Sequence, residues 1–347
     1  MDGHEKIFVT GATGFIGTRL IQALVERRLR IRALCRRDRI ELPPGSNRSL
    51  PGPLEHELVE LVRGDISDRD SLLRGMEGCT YVFHLAAYAK NWAPDPRTYY
   101  QMNVEGTRNV FYAARQLRVN RMVWTSSVVT FGPTPPGVVG DEATPRITPA
   151  YLTKYEESKA IAEQEALRQA ADGFPVVIVN PTRVYGPGHL TEGNAVARLI
   201  DDYNRGRVLV LLNRGVNVGN YVFVDDVVQG HLLAIERGRL GERYILGGEN
   251  ITLKGFFRMI DRVSGKNHLQ IPIPNFSALA IAWLQQKRAE WFGVYPMITP
   301  GWVQSFMVDA AYRSDKAIGD LGYRPTPLEV GLRVTYEWLQ RLGKEPA

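Results

Sequence analysis

Over its first 180 residues the chain alternates short apolar runs with helix-length amphipathic segments, and few architectures accept that order. Residues 7–10, 31–35, 58–62, 81–85, 122–125 and 176–179 read as buried strands. Helical patterns lie between most of them, the first carrying Ile16, Leu20, Ala23 and Leu24. Parallel strands need long crossover connections, and right-handed crossovers put helices on both faces of one sheet. The expected fold is therefore α/β, a doubly wound parallel Rossmann sheet. After Pro181 the alternation breaks down. Residues 221–224 and 243–246 still read as strands, separated by a helix through His231 and Leu233, and beyond Ile251 the pattern is mainly helical. This divides the chain into a sheet domain, residues 1–180 with 217–248, and a smaller, mainly helical domain, residues 181–216 with 249–347.

Composition excludes several classes. No apolar run approaches the roughly 18 residues needed to span a bilayer; the longest, 276–284, is half that. The start is polar, with no signal peptide visible, and two cysteines, Cys35 and Cys79, are too few for a disulfide framework. A reducing cytoplasm fits these features. The net charge of +6 raises nucleic-acid binding, but Arg27 and Arg28 suit a helix C-terminus and Arg30 and Arg32 alternate along a strand. With no aromatic stacking motif and no zinc-ligand cluster, neither a nucleic-acid partner nor a metal is expected.

Thr10-Gly11-Ala12-Thr13-Gly14-Phe15-Ile16-Gly17 falls where the first strand turns into the first helix. Glycines three apart let the backbone turn tightly and approach a pyrophosphate, while the helix start offers free N–H groups and a positive dipole end. The strand before and the helix after raise this from a bare glycine pattern to a dinucleotide site, and residues 1–180 with 217–248 become the dinucleotide-binding domain. About 20 residues further on, such a site carries an acid for ribose hydroxyls or an arginine for a 2′-phosphate. Arg36, Arg37 and Arg39 point to NADP, with Arg36 at the strand end; Asp38 keeps NAD open. Residues 40–56, rich in proline and glycine, form a long loop beside that position.

Tyr155 and Lys159 open a second notable helix, one turn apart, so both side chains leave the same face. A phenol titrates near pH 10, and an adjacent ammonium favours its phenolate. This is the pairing that general acid–base work at a carbonyl or hydroxyl requires.

The glycine spacing, one residue longer than the commonest dinucleotide fingerprint, resembles that of the extended short-chain dehydrogenase/reductase superfamily. Gly64-Asp65, His84-Leu85-Ala86-Ala87 and Asn103-Val104-Glu105-Gly106-Thr107 resemble its further motifs, in the same order. So do residues 180–188, 221–227, 241–250 and 321–325, and the resemblance covers essentially the whole chain. It implies a catalytic set of Ser127, Tyr155 and Lys159, with Ser126 the neighbouring alternative to Ser127. It implies cofactor contacts from Gly11, Thr13, Gly14, Phe15, Ile16, Gly17, Arg36, Asp65, Ile66, Leu85, Ala86, Ala87, Thr125, Tyr155, Lys159, Pro181 and Val184. Ser127, Asn180 and Arg183 are the implied substrate contacts, and a homodimer through helices near 104–117 and 155–170 the implied assembly.

Within the superfamily the chain resembles both dihydroflavonol-reductase-like proteins and the proteins of hopanoid gene clusters assigned as sugar epimerases. Nucleotide-sugar epimerases carry a diphosphate-binding arginine where this chain has Gly219 and Asn220, with Arg183 and Arg214 the candidate substitutes. A diphosphate is costly to hold without a bidentate cation. The expectation is therefore an NAD(P)-dependent reductase or dehydrogenase acting on a ketone, aldehyde or hydroxyl of a fairly apolar small molecule. Nucleotide-sugar epimerisation or dehydration with retained cofactor is the second reading, and a non-catalytic dinucleotide sensor the third. Phe276, Leu279, Ile281, Trp283, Leu284, Trp291, Phe292, Tyr295, Met297, Ile298 and Trp302 are expected mostly to fill helix core, leaving room for an apolar substrate or peripheral contact with a membrane surface.

Overall fold

A computed structural model describes residues 5–36 and 52–342. Arg37, Asp38, Arg39 and most of the proline-rich stretch after them lie outside the described residues. The first half runs β1 (Lys6–Thr10), α1 (Phe15–Glu26), β2 (Arg30–Cys35), β3 (Val59–Arg63), α2 (Arg69–Met76) and β4 (Tyr81–His84). It continues with α3 (Arg97–Tyr100), a π-helical turn at Gln101–Glu105, α4 (Gly106–Gln116), β5 (Arg121–Thr125), α5 (Lys154–Ala171) and β6 (Val176–Pro181). The second half holds β7 (Arg183–Tyr185), α6 (Ala195–Asn204), β8 (Val210–Leu211), β9 (Val218–Phe223), α7 (Val224–Arg237) and β10 (Arg243–Leu246). It ends with β11 (Glu249–Thr252), α8 (Leu253–Ser264), β12 (Ile271–Pro272), α9 (Asn275–Phe292), α10 (Pro300–Ser305), α11 (Asp315–Leu321) and α12 (Leu328–Leu342).

Seven strands form one sheet in the order β10-β6-β5-β4-β1-β2-β3, and every pairing is parallel. Apart from the more exposed edge strand β3, both faces are buried, so alternate residues of a strand feed different cores. Ile7 and Val9 of β1 join Leu20, Leu24 and Leu232 on one side. Phe8 joins Leu72, Phe111 and Ala162 on the other. The strand order reverses between β1 and its neighbours β2 and β4, which leaves a crevice at the carboxyl ends of the strands, where ligands of such sheets bind. Cys35 and Cys79 are free thiols packed into the two cores, and burial raises both above the ordinary thiol range.

A second sheet, β11-β9-β7, shares a third core with α6, α8, α9 and α12. Two segments sit across the division drawn from sequence. Strand β9, grouped there with the dinucleotide domain, pairs with β7 and β11 and not with the large sheet. Helix α11, grouped with the small domain, buries Ala317 and Leu321 in the large sheet's first core. Among the described residues, no helix is long and apolar enough to cross a membrane.

The small domain locks to itself where α12 crosses β7. Tyr185 is fully buried and donates to the Leu328 carbonyl at 3.3 Å, and a Cβ on Gly331 would stand 2.3 Å from its hydroxyl oxygen. Gly331→Ala should therefore destabilise the protein by about 1–3 kcal/mol, although alanine favours helix. A melting temperature equal to that of the wild type would show that α12 can shift to make room.

Candidate active site

The glycine loop is built for close backbone contact. Gly11 has φ +73°, and a Cβ there would lie 2.6 Å from the Ala86 nitrogen and 2.8 Å from the Leu85 carbonyl carbon. A Cβ on Gly17 would come within 2.0 Å of the Gly11 carbonyl oxygen. These contacts press the end of β4, with Leu85, Ala86 and Ala87, against the loop. Thr10 joins the two: its carbonyl accepts from Leu85 N at 3.2 Å and its hydroxyl oxygen from Ala86 N at 3.2 Å. Helix α1 starts at Phe15 with no side-chain cap and no acid in its first turn, and Thr13 and Gly14 are exposed. An uncapped helix start facing a crevice fits a dinucleotide pyrophosphate. Phe15 and Ile16 turn inward instead; Phe15 is buried beneath Gly188, whose Cβ would touch its ring at 2.7 Å.

At the outer end of the crevice, exposed Arg36 shares a concavity with Arg63, Asp65, Asp68 and Arg74. The Asp65 carboxylate accepts from Ser67 N and Ser67 Oγ, each at 2.8 Å, which fixes the turn after β3. Ile66 is buried, its side chain filling the space that Gly106 leaves open.

Thr153 caps α5, accepting from Glu156 N at 3.1 Å, while the Glu156 carboxylate reaches back to Leu152 N at 2.9 Å. This fixes Tyr155 in the first turn and Lys159 in the second. Asn103, in the π-helical turn, accepts from Tyr88 N at 2.6 Å and donates to Ser158 Oγ at 2.9 Å, clamping the β4 loop to the same helix. Ser127 lies opposite, within hydrogen-bonding reach of the Tyr155 phenol. Burial raises the phenol above its ordinary range and the Ser127 hydroxyl, donating to its oxygen, works against that rise. Lys159 is anchored from β5. Its ammonium donates to the Thr125 carbonyl at 2.8 Å and sits 4.4 Å from the Trp124 ring centre. Burial lowers it to about 7, against the pull of Glu163.

The structure separates Ser126 from Ser127. Ser126 is buried and donates to Glu163 at 2.5 Å, whereas Ser127 faces the cleft. Asn180, expected at the substrate, is buried in β6 and donates to Glu163 at 2.6 Å and to the Ser127 carbonyl at 3.2 Å. It holds the serine turn in place and does not line the cleft. Pro181 is likewise buried at the strand end, while Val184 reaches the cleft wall. Arg183 lines the cleft too, but its guanidinium is committed to the Ser305 carbonyl at 2.8 Å and the Tyr221 hydroxyl at 3.2 Å, and it covers the Phe306 ring. A side chain at Gly219 would collide with it at 2.6 Å. Asn220 spends its amide on Gly248, Asn250 and Tyr312, and exposed Arg214 is not part of the cleft lining.

Two residues were not singled out from sequence. Glu163 follows Tyr155 and Lys159 at the same four-residue interval on α5, a stripe that was open to reading. It is buried and accepts from Ser126, Thr130, Asn180 and Arg243. His231 is buried under Thr125: its Nδ1 donates to the Val227 carbonyl at 2.7 Å, so its Nε2 accepts from the Thr125 hydroxyl at 2.8 Å. Burial lowers it to about 4, and lowers His84, between Thr10 and Thr107, to about 3, so both rings are neutral near pH 7.

The cleft itself is a cavity of about 260 Å³ running from Ser127 into the small domain, walled largely by valine, leucine, alanine and aromatic side chains. A parallel sheet, a dinucleotide cradle and a serine–tyrosine–lysine group at one crevice define a nicotinamide-dependent oxidoreductase of the extended short-chain dehydrogenase/reductase type. The chain belongs to the NAD dependent epimerase/dehydratase family, whose profile matches residues 7–247. It is similar to a Synechocystis protein provisionally named dihydroflavonol 4-reductase, 33% identical over 343 residues, covering 98% of this chain and 96% of that one. It is also similar to sterol demethylase protein B of Methylococcus capsulatus, 31% identical over 342 residues, covering 96% of this chain and 98% of that one. The fold matches that of UDP-glucose 4-epimerase from Thermotoga maritima with a TM-score of 0.78 at 22% identity, covering 98% of this chain and 100% of that one.

The buried Lys159 carries a pH signature. Its folded value, about 7, lies below its ordinary one, so between the two the unfolded chain binds a proton that the folded chain does not. This group's contribution to stability therefore rises with pH across that window. The melting temperature of the wild type relative to Lys159→Met should climb as the pH is raised from about 7 to about 10. A difference that stays flat would mean that Lys159 keeps its charge.

Proposed function

We propose that this protein interconverts a ketone or aldehyde and a hydroxyl on a fairly apolar small molecule, with NADPH preferred over NADH. The observation that carries the reading is the cleft beside Ser127. Its walls are largely apolar, their charged members are the acids Glu156 and Glu192 and a single arginine, and that arginine is already engaged with Ser305, Tyr221 and Phe306. A sugar diphosphate would need a cation free to pair with it, whereas an apolar ketone needs only the wall and one polar contact at its oxygen. The relatives named for a flavonol and a sterol support the same substrate class. Three arginines, Arg36, Arg63 and Arg74, around the concavity beyond β2 support a 2′-phosphate.

The bound nicotinamide supplies or accepts the hydride. Ser127 orients the substrate oxygen, and Tyr155 gives that oxygen its proton in reduction and removes it in oxidation. Lys159 holds the ribose edge of the site, anchored by Thr125, while Glu163 and Asn180 keep the serine turn at its height above β5. Thr125 in turn rests on His231.

Tyr155→Phe should cut turnover by about 10²–10⁴-fold while leaving dinucleotide binding, followed by fluorescence, nearly intact. A variant retaining more than about a tenth of the normal rate would sink the assignment. Steady NADPH oxidation with an apolar ketone separates reduction from epimerisation, which consumes none. Arg36→Ala should raise KM for NADPH by about tenfold or more and leave that for NADH almost unchanged; equal effects on both would remove the 2′-phosphate contact.

A further inference from the structure

Helix α9 is built inside out. A helix on a globular protein normally turns its large apolar residues to the core and its polar ones to water. In α9 the buried residues against the body are alanines, Ala278, Ala282 and Ala289, with Leu279 half-buried beside them. The bulky residues point away. Phe276 is 74% exposed, Trp283 52%, Leu284 60% and Trp291 71%. Their spacing of seven or eight residues places them on one outward stripe. The exposed ring of Phe292 flanks its end. The expectation that these residues fill helix core is therefore wrong for most of them, because small residues already fill the contact. A stripe of this kind is costly to leave in water and marks an interaction surface.

We propose that α9 docks this protein onto an anionic lipid bilayer surface, lying in the interface without crossing it. Tryptophans on a helix face are the residues that settle at the membrane–water boundary. Charge agrees. Lys287 lies on the stripe itself, paired with Glu290 at 2.6 Å, and exposed Arg288 beside it adds a further cation. At the other end Asn275 accepts from Asn213 N at 2.9 Å, which brings exposed Arg214 and Lys254 next to the start of the helix. A second copy of the chain would present the same cations to this face, whereas acidic headgroups complement them.

The surface is continuous with the cleft. Tyr295, two residues past the Gly293 cap of α9, packs edge-on against Trp92 and donates to Glu192, which lines the cavity. Trp302 of α10 packs beside α9 and forms part of the cavity wall. A molecule dissolved in the bilayer would thus meet the cleft at its rim. Docking stands on α9 alone and holds whichever substrate the cleft takes.

The test is sedimentation of the full-length protein with sucrose-loaded vesicles, of phosphatidylcholine alone or mixed equally with phosphatidylglycerol. The wild type should bind the mixed vesicles more strongly, and brominated lipid should quench its tryptophan fluorescence. Trp283→Ser/Trp291→Ser should weaken binding roughly 10–100-fold while vesicle-free turnover and melting temperature stay at wild-type values. Phe276→Ser, further from the cleft, should weaken it in the same direction. A wild type that stays in the supernatant, or a double variant that binds equally, overturns the proposal. So does a wild-type dimer that the double substitution splits, since α9 would then be covered by a second copy. Because binding is read without turnover, its failure leaves the reductase reading standing.

Discussion

The carboxylate of Glu163 holds the site together from beneath. It is buried, and a buried charge is tolerable only when donors surround it. Four arrive from different parts of the chain: Ser126 at the end of β5, Thr130 in the turn after it, Asn180 from β6 and Arg243 from β10. Those bonds gather three neighbouring strand ends around α5. They also decide which serine of the Ser126–Ser127 pair faces the cleft, since Ser126 is drawn down and Ser127 left above. The same helix carries Tyr155 and Lys159 on the stripe that ends at Glu163, so the chemistry rests on the element this carboxylate fixes.

The cofactor end depends on a different constraint, the absence of side chains. Gly11 and Gly17 leave no room for a Cβ, and the loop, the start of α1 and the end of β4 close on one another to within ordinary packing distance. Nothing charged caps α1, so its N–H groups remain directed at the crevice. One end of the active site is therefore made rigid by a satisfied charge and the other by bare backbone.

The small domain inverts ordinary patterning in two places. The arginine in its cleft is turned to protein carbonyl, phenol and ring partners, leaving an apolar wall. Its α9 shows aromatic residues to the outside. Both features suit a protein that handles molecules poorly soluble in water, and they meet at Trp302 and Tyr295, on the rim between cleft and surface.

By itself the sequence determined the parallel sheet, the glycine cradle and the Tyr155–Lys159 spacing, because each is a local pattern: strand period, turn chemistry, one helical turn. Arg36 at the end of β2 was legible for the same reason. Only the tertiary structure decided what depends on partners distant in the chain. Asn180 left the substrate for Glu163, 17 residues earlier, and Arg183 was claimed by Ser305, 122 residues later. Lys159 is held by the Thr125 carbonyl, 34 residues earlier. The outward face of α9 was hidden from composition too. Apolar residues at helical spacing are the same letters whether they face a core or not, and only the alanines packed beneath the helix reveal which side the protein occupies.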